Sequence, residues 1–90
     1  MKTIWKYPLP GPFSTIDVPI GAMFLTAKMQ GIYPTLWALV DPTAEKKAQR
    51  IAVIPTGGEF EDDWEFIASI FPDPLVFHVF KVPNKGDTHD

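Results

Sequence analysis

Ten prolines and six glycines break this 90-residue chain into short intervals. Proline has no backbone N–H to donate, so it ends helices and is excluded from the interior of a sheet. The intervals are rich in β-branched and aromatic side chains, which favour strands. The pattern predicts an all-β fold, a small antiparallel sandwich or partly open barrel of about seven short strands. The predicted strands cover residues 2–7, 13–18, 23–30, 33–41, 50–56, 66–71 and 75–82.

The length of the chain predicts a single β domain over residues 1–82. So small a domain buries a modest share of its surface, which favours the association of subunits into a homo-oligomer. The polar residues 83–90 have nothing to bury and are predicted to form a disordered tail. Residues 44–49 fit a single helical turn, a polar loop or an extension of the strand that follows.

Two neighbouring segments predict a hairpin. Residues 23–30 alternate between apolar and polar side chains, and Gly31 supplies the turn to the next strand. The predicted core face of this first strand consists of Met23, Leu25, Ala27 and Met29. The strand over residues 33–41 is apolar on both faces, so it is predicted to be central in its sheet or to lie against a second subunit.

Charge and cysteine content narrow the classes of function. The chain has no cysteine, which excludes disulfides, a thiolate nucleophile and cysteine-based zinc sites. No signal-peptide pattern and no run of about 20 apolar residues is present, so a soluble cytoplasmic protein without a membrane partner is expected. A net charge of −3 argues against broad binding to nucleic acid. It leaves room for one small anionic ligand in a local basic pocket.

Four side chains have the chemistry to hold a phosphate-bearing ligand with an aromatic ring. Lys28 and Arg50 supply positive charge for a phosphate, and Trp37 and Tyr33 offer π faces on which a base stacks. The alternative for the two cations is ordinary exposed surface. For the two aromatic residues it is packing in the core or at a subunit interface.

Gly57, Gly58 and His78 have more than one interpretation. The two glycines follow a predicted strand, where they either expose backbone N–H groups to an anion or make a turn. His78 shares a strand face with Val76 and Phe80, so it is a packed, hydrogen-bonded histidine or a donor that lines a pocket. A third interpretation is the acid or base of a phosphodiesterase-like enzyme.

Residues 59–65 carry five carboxylates, interrupted by Phe60 and Trp64. The spacing lacks the glycine and the terminal glutamate of a calcium-binding loop, so no metal site is predicted. We interpret the segment as a solvated acidic loop that the two aromatic residues pin to the domain, or as a surface that contacts another protein.

Several segments resemble a family of small uncharacterised proteins that are frequent in bacteriophage and prophage genomes. The resemblance covers residues 1 to about 82. The segments that carry it include Met1-Lys2-Thr3-Ile4-Trp5-Lys6 and Leu36-Trp37-Ala38-Leu39-Val40-Asp41-Pro42. The family has no known reaction, so the resemblance implies a binding role and no catalytic residue.

The residues and the resemblance together predict a non-enzymatic, phage-type binding protein without a cofactor. As a homo-oligomer it would bind or sequester a small nucleotide-like immune signalling molecule. The predicted ligand-binding residues are Lys28, Tyr33, Trp37, Arg50, Gly57, Gly58 and His78. The alternative is a protein-interaction module that blocks a host protein through the acidic-aromatic loop of residues 59–65.

Overall fold

The structure, a computed structural model, describes residues 1–84. It confirms the prediction of an all-β fold with seven strands, and residues 1–84 contain no helix. The strands are β1 (Thr3–Pro8), β2 (Phe13–Pro19), β3 (Met23–Gln30), β4 (Tyr33–Val40), β5 (Lys46–Pro55), β6 (Glu65–Ile70) and β7 (Phe77–Val82). It follows that no helix within this part of the chain is long and apolar enough to cross a membrane.

The seven strands form two antiparallel sheets that pack face to face as an open sandwich. The three-stranded sheet has the order β1-β4-β3, and the four-stranded sheet has the order β2-β5-β7-β6. The main core lies between them, with Leu36 and Ala27 from the first sheet against Ile51, Val53 and Val79 from the second. The strands β3 and β6 lie beside each other at one side of the sandwich.

The doubly apolar strand β4 is central in the three-stranded sheet, as predicted. It pairs with β1 on one side and with β3 on the other. Its side chains Leu36, Ala38 and Val40 point toward the other sheet and are completely buried or nearly so. The turn into β4 uses Gly31 at φ 64°, a left-handed conformation that glycine adopts without a steric penalty.

A β-bulge in β3 contradicts the predicted core face of that strand. The register with β4 shifts between Phe24 and Thr26, which leaves Leu25 without a directly paired residue. The extra residue reverses the alternation, because side chains change face at every residue of a strand. Phe24 therefore packs against the core, whereas Met23 and Leu25, predicted to be buried, are 60% and 44% exposed. Ala27 and Met29 lie on the core side as predicted.

The strand β5 settles the assignment of residues 44–49. It begins at Lys46, so four of these six residues extend the strand. Their backbone pairs with the second half of β2, where Pro19 is opposite Lys46 and Asp17 is opposite Ala48. This ladder stabilises an extended conformation for a polar segment that has no apolar face of its own.

The last predicted strand and the predicted tail both differ in extent from the structure. The strand predicted over residues 75–82 begins at Phe77, since the N–H of Leu75 donates to the carbonyl oxygen of Pro72 at 2.8 Å. Of the predicted tail, residues 85–90 lie outside the part that the structure describes. Within that part, Asn84 Nδ2 donates a 2.9 Å hydrogen bond to the carbonyl oxygen of Ala48.

Truncation of Leu36 tests the position of the core. Leu36→Ala is expected to lower the free energy of unfolding by about 2–5 kcal/mol, because it removes methyl groups from a fully buried site and leaves a cavity. Leu25→Ala removes the same atoms from an exposed site of the same sheet and is expected to cost less than about 1 kcal/mol. Urea denaturation measures both values. Equal losses would contradict the assignment of faces in β3 and β4.

Candidate ligand-binding site

The outward surface of the three-stranded sheet contains an open depression of about 360 Å³, lined by Ile4, Leu25, Thr26, Lys28 and Trp37. We call the surface around this depression the Trp37 face. The sheet register brings these residues together, since Trp37 is paired with Lys6 of β1 on one side and with Thr26 of β3 on the other. Paired residues of adjacent strands point to the same face of a sheet. The depression is thus an apolar surface with one lysine at its margin.

The Trp37 face is positively charged. The sequences of β1, β3 and β4 contain two lysines, Lys6 and Lys28, and no aspartate or glutamate. Lys6 Nζ donates a 2.8 Å hydrogen bond to Gln30 Oε1 across the sheet. An anion that approaches this face therefore meets positive charge and no carboxylate from the strands beneath it.

Three of the predicted site residues lie on this face. Lys28 is opposite Thr35, and Thr35 lies between Tyr33 and Trp37 on the same side of β4. Tyr33 is 44% exposed, and Trp37 is partly exposed. The alternation of the sequence was sufficient to predict that Tyr33 and Trp37 share a face. The position of Ile4 and Leu25 beside Trp37 depends on strand pairing and on the bulge in β3. The sequence pattern indicates neither of them.

Arg50 and His78 lie on the opposite surface of the sandwich, the outward side of the four-stranded sheet. Arg50 is paired with Val82, which is buried beneath this outer surface rather than in the main core. Its guanidinium carbon lies 5.2 Å from the centre of the Phe13 ring, within the range of a cation–π interaction. The two cations predicted to share a phosphate, Lys28 and Arg50, are thus on opposite sides of one chain.

His78 has hydroxyl partners at both of its ring nitrogens. Ser69 Oγ lies 2.8 Å from Nδ1, and Thr56 Oγ1 lies 2.9 Å from Nε2. Thr56 Oγ1 also donates to the carbonyl oxygen of Val76 at 3.4 Å. The ring nitrogen that carries the hydrogen of the neutral imidazole donates to its hydroxyl partner, and the other ring nitrogen accepts. His78 is thus hydrogen-bonded on both sides of its ring, and its role as a donor that lines a pocket stays a prediction.

The glycine pair forms a turn. The N–H of Gly58 donates to the carbonyl oxygen of Pro55 at 2.9 Å, and Gly57 has φ 92°. A side chain at Gly58 would collide with Ile54, so the tight turn requires glycine there. Because the N–H groups of Thr56 and Gly58 are both donated to main-chain carbonyls, neither is available to an anion.

The acidic loop of residues 59–65 folds across the outer side of the four-stranded sheet. The Phe60 ring lies 4.3 Å from the Phe80 ring, measured between centres, and the Trp64 ring lies 5.9 Å from both Phe80 and Phe13. These contacts cover the second apolar cluster, which consists of Ala52, Ile54, Phe80 and Val82. They confirm that the two aromatic residues pin the loop, and its carboxylates remain exposed.

Two buried hydroxyls have no hydrogen-bond partner within residues 1–84. They are Tyr7 Oη on β1 and Ser14 Oγ on β2, each on an edge strand of its sheet. Burial raises the pKa of Tyr7, and the negative charge of Asp17 raises it further.

The pKa of Asp41 is lowered by hydrogen bonds from the hydroxyl and the N–H of Thr43, which close the turn after β4.

Comparison with known protein families assigns the chain to one of them. A family model described as a domain of unknown function, DUF7352, matches residues 1–89. The chain belongs to this family. Neither a curated protein nor a solved structure matches the DUF7352 chain. Within residues 1–84, no group of three or more histidine, aspartate or glutamate side chains is arranged to hold a metal ion.

The orphaned hydroxyl of Tyr7 leads to a prediction about stability and pH. Tyr7→Phe is expected to raise the free energy of unfolding at pH 7 by about 1 kcal/mol, because a buried polar group without a partner is costly. The raised pKa means that the folded state holds its proton more tightly than the unfolded state does. The contribution of this shift to the free energy of unfolding is fully present below about pH 10, the pKa of tyrosine in the unfolded chain. It is lost as the pH rises through the pKa of Tyr7 in the folded state.

Denaturation by urea between pH 7 and pH 11 measures both effects. In Tyr7→Phe the alkaline loss of stability should be smaller than in the unchanged protein. Tyr33→Phe removes a hydroxyl from an exposed residue and is the matched control, which should leave the stability at pH 7 unchanged. A loss of stability in Tyr7→Phe would show that Tyr7 Oη has a partner in solution.

Proposed function

We propose that this protein is a non-enzymatic binding protein whose ligand is a small nucleotide-like anion held at the Trp37 face. The observation that carries the proposal is the position of Trp37 beside Lys28 in an open apolar depression, on a sheet whose strands have no carboxylate. An aromatic ring stacks on a tryptophan, and a phosphate pairs with a lysine. Ile4 and Leu25 supply apolar contact for the rest of the ligand.

His78 supports the non-enzymatic part of the proposal. In hydrolases that use a serine and a histidine, a third group, commonly a carboxylate, orients the histidine. Here the nitrogen that would face that group is paired with Thr56, a neutral hydroxyl. Ser69 and His78 are therefore interpreted as a hydrogen-bonded pair that joins β6 to β7.

A homo-oligomer accounts for the separation of the predicted site residues. The depression on one chain is open, so a ligand bound there keeps one side in water. A second copy that covers it with the outer side of its four-stranded sheet would bring Arg50 and His78 to the ligand. The sandwich of one chain cannot do so, since stacked sheets are about 10 Å apart and these residues point away from each other.

The resemblance to small phage proteins supports a more specific ligand. Small phage proteins without enzyme motifs often act by binding, and a nucleotide signal of host defence is a target of suitable size and charge. We therefore propose that the protein sequesters such a signal in the host cytoplasm.

Native mass spectrometry with a panel of cyclic nucleotides and ADP-ribose derivatives tests the proposal. We expect an oligomer that gains discrete ligand masses at a fixed ratio. Trp37→Leu and Lys28→Gln should each weaken binding about tenfold or more in calorimetry, given the usual strengths of stacking and charge-assisted hydrogen bonds.

Two further variants make the result specific. Lys46→Gln removes a lysine that lies over the Trp5 ring, away from the Trp37 face, and should leave the affinity unchanged. Arg50→Gln should weaken binding only if a second copy completes the site. A protein that gains no mass from any member of the panel would overturn the proposal.

The acidic loop supports a second candidate, a module that blocks a basic surface of a host protein. The favouring observation is that Phe60 and Trp64 hold the loop on a rigid sheet, so its carboxylates are presented without a large cost in ordering on binding. Charge reversal at Glu61, Asp62 and Asp63 should abolish the capture of such a partner at low salt. A captured partner that tolerates the reversal would exclude this role.

A further inference from the structure

A second depression of about 260 Å³ lies at one end of the sandwich, away from the Trp37 face. All but one of the residues that line it carry charge or an amide: Lys47, Gln49, Asp63, Glu65, Lys81 and Asn84. The strand register explains why charged groups gather there. Lys47 is opposite Val18 and Lys81 is opposite Ile51, and both partners belong to the main core. The two lysines therefore lie on the core side of the four-stranded sheet, where the sandwich opens.

Gln49 is the buried member of this polar cleft. Its side chain is 2% exposed, and Nε2 donates to the carbonyl oxygens of Arg50 at 2.9 Å and of Val82 at 2.7 Å. Both amide hydrogens are thereby used, which fixes the orientation of the amide group. The amide oxygen Oε1, which can only accept, is the remaining polar atom of this cleft-lining side chain.

The charges of the cleft are of both signs. Glu65 is directly opposite Lys81 in the sheet, and Asp63 and Lys47 line the same depression. Two ammonium groups and two carboxylates thus border a space that a ligand with both charges would fill.

An adjoining depression of about 100 Å³ extends the cleft toward apolar residues. It shares Lys47, Gln49 and Lys81 with the polar cleft, and it is also lined by Val18 and Phe24. A ligand that is anchored by its charges in the larger space can place a small apolar group in this one. A volume of this size suits a short apolar side chain.

We propose that this cleft binds a small zwitterion of the α-amino acid class with a short apolar side chain. The carboxylate of the ligand pairs with Lys47 and Lys81. Its ammonium group donates to Asp63, Glu65 and Gln49 Oε1. The proposal is independent of the nucleotide site, because no residue lines both depressions.

The test is a titration of the ¹⁵N-labelled protein, followed by amide chemical shifts in NMR spectra. The probes are glycine, L-alanine and L-valine, with acetate and methylammonium as ligands that carry only one of the two charges. We expect the amino acids to shift the amide signals of Gln49, Glu65 and Lys81 in a saturable way. Acetate and methylammonium should bind at least about tenfold more weakly, because each loses one set of charge-assisted contacts.

Paired variants assign the two ends of the ligand. Lys81→Met and Glu65→Gln should each weaken amino-acid binding at least about fivefold. Lys2→Met and Glu45→Gln remove the same charges from exposed sites that do not line the cleft, and they should leave binding unchanged. The spectrum of each free variant shows that it has folded. Acetate that binds as tightly as alanine would overturn the zwitterion assignment, and the absence of saturable shifts with every probe would overturn the site.

Discussion

The packing of β4 against the four-stranded sheet is the contact on which the rest of this small protein depends. Without a helix in the described part, the three-stranded sheet can remove apolar surface from water only on its inner side, where Leu36, Ala38 and Val40 are buried. The four-stranded sheet is apolar on its outer side as well, at Ala52, Ile54, Phe80 and Val82. The acidic loop removes this second cluster from water. Phe60 and Trp64 cover the cluster, and the carboxylates of the loop remain hydrated.

One extra residue in β3 changes what the protein presents to solvent. In an uninterrupted strand Met23 and Leu25 would enter the core, and Phe24 would be outside. The bulge moves Phe24 inward and turns Leu25 outward to meet Ile4 and Trp37. The apolar depression of the Trp37 face is thus a consequence of the register shift. Bulges commonly adjust the direction of side chains next to binding sites in this way.

These details mark the limit of what the sequence could predict. The spacing of proline and glycine was sufficient for the seven strands, and the two apolar faces of β4 were sufficient for its central position. The bulge at Leu25 was not predictable, because its sequence also fits perfect alternation. The extension of β5 to Lys46 depends on pairing with β2, which is distant in the chain. For the same reason the local sequence does not predict that Lys47, Lys81 and Glu65 lie close together. Each of them reads as an ordinary surface charge in its own segment.

The two outer surfaces of the sandwich differ in charge, and this difference constrains any homo-oligomer. The Trp37 face has Lys6 and Lys28 over strands without carboxylates, whereas the acidic loop of residues 59–65 lies across the opposite side and is held there by the contact of Phe60 with Phe80. A symmetric dimer through the Trp37 face would bring lysines toward lysines and would bury the proposed nucleotide site. Contact between unlike surfaces would bring lysines toward carboxylates and Arg50 toward Lys28. Such a head-to-tail contact closes only into a ring or continues as a filament, so a closed oligomer of this type has more than two subunits.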